Sequence, residues 1–177
     1  MANSNAPYGF RLYSRLVPGT GATAVAPGIA PVAGAQPGGP IKFPSAAALK
    51  VGDPVKVSAG LGYLASGTNA LYGICNQVVP GWSETATQYH YPEILPADDQ
   101  TIWRVQSIGT VNVTLGYIGV ASKKYRIGGT TSGYTGIDLS HTTGGVLEVL
   151  ALAPGSALGT YAELLVTIAR GAFYGAA

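Results

Sequence analysis

The sequence predicts a mainly β fold: a β-sandwich or barrel-like core, with a jelly-roll-like arrangement among the alternatives, preceded by an extended, non-regular N-terminal arm. Three observations carry this expectation. Short apolar runs recur along the chain, separated by Gly, Pro and Asn turns. Helical periodicity is almost absent. One long stretch, Pro18 to Pro40, is built from Gly, Pro, Ala, Val and Thr, with no period that would suit either a helix or a half-buried strand.

Taken in order, residues 1 to 17 mix aromatic, apolar and cationic side chains: Tyr8, Phe10, Arg11, Leu12, Tyr13, Arg15 and Leu16. Such a mixture suits lying on another surface. The Gly/Pro/Ala stretch that follows has little means of building a core, because glycine raises the entropy cost of ordering and proline removes backbone donors. Its reach is large, up to ~75 Å at about 3.3 Å per residue. Its Val, Ile and Ala content is high for a solvated linker. The expected division is therefore an arm over 1–44, removable with the core left folded, and a β-rich core domain over 45–177.

Within the core, "FPSAAALKVGDPVKVS" predicts one helical turn over Ser45–Lys50, a turn at "VGDP" and a short strand. "LGYLAS", "LYGICNQVV" and "QTIWRVQ" read as further strands. Val111 to Tyr117 alternates apolar and polar residues, the pattern of a strand with one buried face. The tail holds two apolar runs around a loop over Ala153 to Thr160, and these predict an antiparallel strand pair. The alternative for "YAELLVTIA" is a short helix. No internal repeat is visible.

Composition narrows the function. Only 18 of the 177 residues are Asp, Glu, Lys or Arg, about 10% where roughly 25% is usual. A surface so poor in charge points to cover by other protein. The net charge of +2, with scattered basic residues, does not form a phosphate-neutralising stripe, so no direct nucleic-acid binding is expected. The uncharged stretches Leu16–Ile41 and Val57–Ser83 are too rich in Gly and Pro to span a membrane as helices. The opening lacks a basic region followed by an apolar one, so no secretory signal is expected. The Asn112-Val113-Thr114 sequon therefore reads as outward-facing strand residues. The single cysteine, Cys75, lies in an apolar run and reads as a buried small hydrophobe.

Catalytic chemistry finds few groups. His90 and His141 lack a nucleophile signature such as G-x-S-x-G. Glu93, Asp98 and Asp99 are the densest acidic region and the carboxylates considered for a hydrolase or a calcium loop, but they lack D-x-D-x-D-G spacing, and "PADD" is ordinary turn chemistry. "GTGATA" at Gly19 has neither the lysine nor the helix of a phosphate loop. No cofactor, metal or enzymatic activity is expected. The eleven tyrosines suit interfaces, although half-buried strands enrich them too.

Six blocks in fixed order carry a resemblance: "NSNAPYGFRL" (Asn3–Leu12), "VGDPVKV" (Val51–Val57), "LYGICN" (Leu71–Asn76), "ADDQTIWRVQ" (Ala97–Gln106), "TTSGYTGIDLS" (Thr130–Ser140) and "YAELLVTI" (Tyr161–Ile168). Together they resemble the capsid decoration (cement) proteins of tailed bacteriophages, small head proteins encoded beside the major capsid protein. The resemblance implies a non-enzymatic virion protein on the outer surface of the capsid, a homotrimer in contact with the major capsid protein. On that reading Tyr8, Phe10, Arg11, Leu12, Tyr13 and Arg15 are the residues expected to dock on the capsid or a neighbour. The Pro18–Pro40 stretch departs from the family pattern. The alternative is a virion-surface β module that binds carbohydrate or a receptor, with Trp82 and exposed tyrosines as its platform.

Overall fold

The computed structural model describes residues 3, 8–15, 43–44, 49–59, 61–77, 89–90, 93–129, 133–169 and 172. Twelve strands follow one another: β1 (Arg11–Arg15), β2 (Phe43–Pro44), β3 (Pro54–Ser58), β4 (Leu61–Leu64), β5 (Gly73–Gln77), β6 (Tyr89–His90), β7 (Glu93–Pro96), β8 (Thr101–Gln106), β9 (Arg126–Gly129), β10 (Thr135–Asp138), β11 (Leu147–Leu152) and β12 (Glu163–Ile168). The only helix among the described residues is a single 3-10 turn, Leu115–Tyr117. The fold is mainly β, with several antiparallel sheets.

The larger sheets have four strands each, in the orders β1-β8-β12-β11 and β4-β3-β5-β7, and all of their pairings are antiparallel. The pairs β9–β10 and β2–β6 form two small antiparallel ladders. Alternation explains the first sheet. On β12, Leu164, Val166 and Ile168 are buried, and with Ala162 they form the apolar face the sequence predicts, so "YAELLVTI" is a strand and not a helix. On β8, Trp103 and Val105 point the same way, while Ile102 and Arg104 are half-buried on the other face. The inner face joins Ala65, Leu71, Ile74, Tyr125, Ile127, Ile137 and Leu147 in one core that takes residues from β5, β8, β9, β10, β11 and β12. A smaller cluster, Leu49, Val55, Cys75 and Ile94, lies within the second sheet.

Two sequence expectations are corrected. Val111–Tyr117 is not a strand: only Val113 pairs, in one bridge to Gly159, and the chain then turns into the 3-10 helix with Leu115 72% exposed. Its alternation is real, but Gly109, Gly116 and Gly119 break the segment before a ladder can extend, two of them at positive φ. Asn112 and Thr114 do face outward.

The second correction concerns the division at residue 44. β1 is an edge strand of the first sheet, paired with β8 through Arg11↔Arg104 and Leu12↔Trp103, and Phe10 is 3% exposed in the main core. Residues 8–15 thus belong to the core and are not an arm outside it. The helical turn expected over Ser45–Lys50 falls mostly outside the described residues, as does the Gly/Pro/Ala stretch itself.

Candidate docking surface

A crossing of two chain segments holds the opening block in place. Phe10 N–H donates to the Gly52 carbonyl at 2.8 Å, and Gly52 N–H donates to Cys75 O at 2.8 Å. Gly9 and Gly52 both have positive φ, 81° and 91°. A Cβ on Gly9 would lie 2.7 Å from Gly52 O, and one on Gly52 would lie 2.9 Å from Tyr8 O. Only glycine at both positions lets the backbones approach so closely. "YGF" and "VGDP", from two of the blocks that carry the resemblance, are therefore two halves of one packing contact.

Tyr8 lies across the outer face of the first sheet. Its hydroxyl bonds to Glu163, and burial together with that carboxylate pushes its pKa up to about 12. Arg104 clamps Glu163 from the neighbouring strand, with Nε at 2.6 Å from Oε2 and a second contact from its Nη2. The Arg11 guanidinium stacks 3.7 Å above the Tyr8 ring. Tyr8, Arg11, Arg104 and Glu163 thus form one cluster on three chain segments.

Of the residues expected to dock, Phe10 is turned into the β core, 3% exposed, and is not part of the outward surface. Leu12 is half-buried and packs against the core. Arg11 and Tyr13 are exposed, Tyr13 at 36%, and Tyr8 is half-buried. The Arg15 backbone pairs with Thr101, and its side chain lies outside the described residues. What remains outward is Arg11, Tyr13 and part of Tyr8, beside Ile102 and Leu165. Leu150, 41% exposed, stands on the far strand of the same sheet.

Asn3 is a contact that sequence reasoning missed. Its amide nitrogen donates to Ala157 O (2.8 Å) and Thr160 O (3.1 Å), while its carbonyl oxygen accepts from Ala157 N–H (3.1 Å) and Ser156 Oγ (3.3 Å). The loop between β11 and β12 thereby satisfies both donors and both lone pairs of the carboxamide. No local pattern announces it, since the partners lie more than 150 residues away.

Among the described residues, the groups weighed for catalysis are not brought together. Asp138, Ser140 and His141 make a local turn. Ser140 Oγ and N–H donate to Asp138 Oδ1 at 2.5 and 2.9 Å, and His141 Nδ1 lies 3.1 Å from Asp138 Oδ2 and 3.0 Å from Ser140 Oγ. Serine and aspartate thus meet the same ring nitrogen, whereas a triad needs them on opposite nitrogens. Burial raises the Asp138 pKa, but the Ser140 and His141 contacts outweigh it and hold it below the usual carboxylate value. Asp98 caps the turn before β8, accepting from Gln100 N–H and Thr101 Oγ1 at 3.1 and 2.5 Å, as turn chemistry predicts. The side chains of His90 and Glu93, and all of Trp82, lie outside the described residues.

Asp53 is the one deeply buried carboxylate among the described residues, 2% exposed beside the glycine crossing. It accepts from Lys50 N–H (2.8 Å) and Thr135 Oγ1 (3.3 Å). Lys50 Nζ is turned toward Gly133 O and the Tyr134 ring, at 3.1 and 4.6 Å. Burial raises the Asp53 pKa, and these contacts oppose the rise without cancelling it. Among the described residues no cluster of His, Cys, Asp or Glu has metal-ligand geometry, and no helix is long and apolar enough to cross a membrane.

No family model, curated protein or solved structure matches the chain.

Proposed function

We propose that this chain is a structural virion protein, a decoration protein that binds the outside of an icosahedral phage head and bridges major capsid protein subunits as a homotrimer. On this reading its antiparallel sheets make a sandwich- or barrel-like core. The observation that carries the proposal is the scarcity of free charge. Of the 18 charged residues, Arg104, Glu163, Lys124 and Glu148 are tied up in ion pairs and Asp53 is buried. The surface left over includes exposed Val51, Leu64, Leu115, Leu150 and Leu158. A chain of this kind is better served by being part of an assembly than by standing alone in water.

The six-block resemblance supplies the kind of assembly. The mechanism is physical. A protein that binds the assembled lattice and not its separated subunits stabilises the lattice by mass action. Joining three copies couples three modest footprints through effective concentration, so detachment becomes rare. The test is to add the purified protein to heads that lack it, and to measure its stoichiometry on the head and its state in free solution by sedimentation. Saturable binding by a trimer supports the proposal. A monomer that leaves heads bare overturns it.

A further inference from the structure

Among the described residues, the contacts that seat Asn3 and residues 8–15 on the rest of the chain are long-range in sequence. Asn3 sits in the Ser156–Thr160 loop, Tyr8 on Glu163, Phe10 on Gly52, and β1 on β8. Among the described residues no hydrogen bond ties this segment to the strand that follows. That strand, β2, begins at Phe43, and 27 residues separate it from Arg15.

A connection of that length spans up to ~90 Å at about 3.3 Å per residue. A compact chain of this size has a radius of gyration of about 16 Å, hence a width of about 40 Å. The seat on a touching neighbour is therefore within reach, just as the chain's own seat is. Every contact named above is the same whether the segment and its seat belong to one chain or to two. Exchange thus forfeits no contact, and connection geometry and proximity decide between the two arrangements.

We propose that this segment is exchanged between copies of the chain, so that the Asn3–Arg15 segment of one copy occupies β8, Gly52 and the Ser156–Thr160 loop of a second copy. The proposal rests on the self-association put forward above and adds what holds the copies together. Within an assembly, neighbouring seats are presented at a high effective concentration. Once exchanged, a copy leaves only if Phe10 is drawn out of a core and β1 is stripped from β8. A charge-poor footprint then no longer has to hold by surface contact alone.

Disulfide trapping tests this. In a Cys75→Ser background, Ser14→Cys and Ile102→Cys put thiols at facing positions of β1 and β8. After mild oxidation, non-reducing denaturing electrophoresis should show most of the chain as covalent dimers and trimers. Ser14→Cys and Ile102→Cys chains that are co-expressed, with one cysteine each, should also cross-link to one another.

Internally bridged monomers from a particle that sediments as an oligomer would overturn the exchange and leave self-association standing. Bridged monomers that also sediment as monomers would overturn both. If the first pair does not fold, Arg11→Cys with Arg104→Cys reads the same ladder two pairs along.

Discussion

Gly9 and Gly52 touch because neither has a side chain, and much of the molecule depends on that contact. Gly9→Ala would place a Cβ 2.7 Å from a carbonyl oxygen at a φ of 81°, where backbone strain alone costs roughly 1–3 kcal/mol. We predict a loss of at least about 2 kcal/mol in chemical denaturation. Asp53, next in the chain, gives a pH signature. Its pKa is raised in the folded state, so the folded chain holds that proton more tightly than the unfolded one. The stability it contributes is complete below the ordinary aspartate value and is lost as pH rises through the folded-state pKa. Asp53→Asn should flatten the fall in stability above pH ~4; an unchanged pH profile would show that the carboxyl is not the group responsible. At the alkaline end, Tyr8 is held neutral up to about 12. Tyr8→Phe should reduce the loss of stability expected as pH rises from 10 towards that value, the remainder coming from Tyr72 and Tyr125, whose pKa burial also raises.

At the scale of elements, the strands were legible where a period of two ran uninterrupted. β3, β4, β5, β8, β11 and β12 fall where "DPVKVS", "LGYLAS", "LYGICNQ", "TIWRVQ" and the two tail runs place them. Val111–Tyr117 had the same period, but glycines cut the ladder short, and a pattern does not reveal whether a partner strand lies alongside. β1 was hidden for the opposite reason. "RLYSR" carries arginines at both ends and a register shift between Leu12 and Ser14, devices that blunt an edge strand and also mask it in sequence. The mixture that suggested an external anchor is instead an edge strand with one buried aromatic before it. Phe10→Ala should therefore destabilise the β core by about 3–5 kcal/mol, measurable on the purified protein without any capsid protein. Removing residues 1–40 should cost the core its cooperative unfolding, because β1 and Phe10 go with them. A truncated chain that unfolds at the wild-type denaturant concentration would show that β1 is dispensable.

For the whole molecule, the charge deficit remains the fact from which function is argued. Composition displayed it directly, whereas the cluster around Tyr8 and Glu163 and the cradle for Asn3 depend on contacts across most of the chain, which no local pattern encodes. The blocks that suggested a capsid decoration protein include Gly9 and Gly52, the two sides of a backbone crossing, so part of that resemblance marks structural necessity. The outward candidates for docking are reduced to Arg11, Tyr13 and part of Tyr8, with Ile102, Leu165 and Leu150 on the same sheet. The most direct test of the proposed decoration role is the thermal stability of undecorated phage heads, taken with and without saturating purified chain. Saturable occupancy of the head exterior is expected, with a higher disruption temperature that tracks occupancy. Heads that stay bare, or that bind the chain and break at the same temperature, would contradict it.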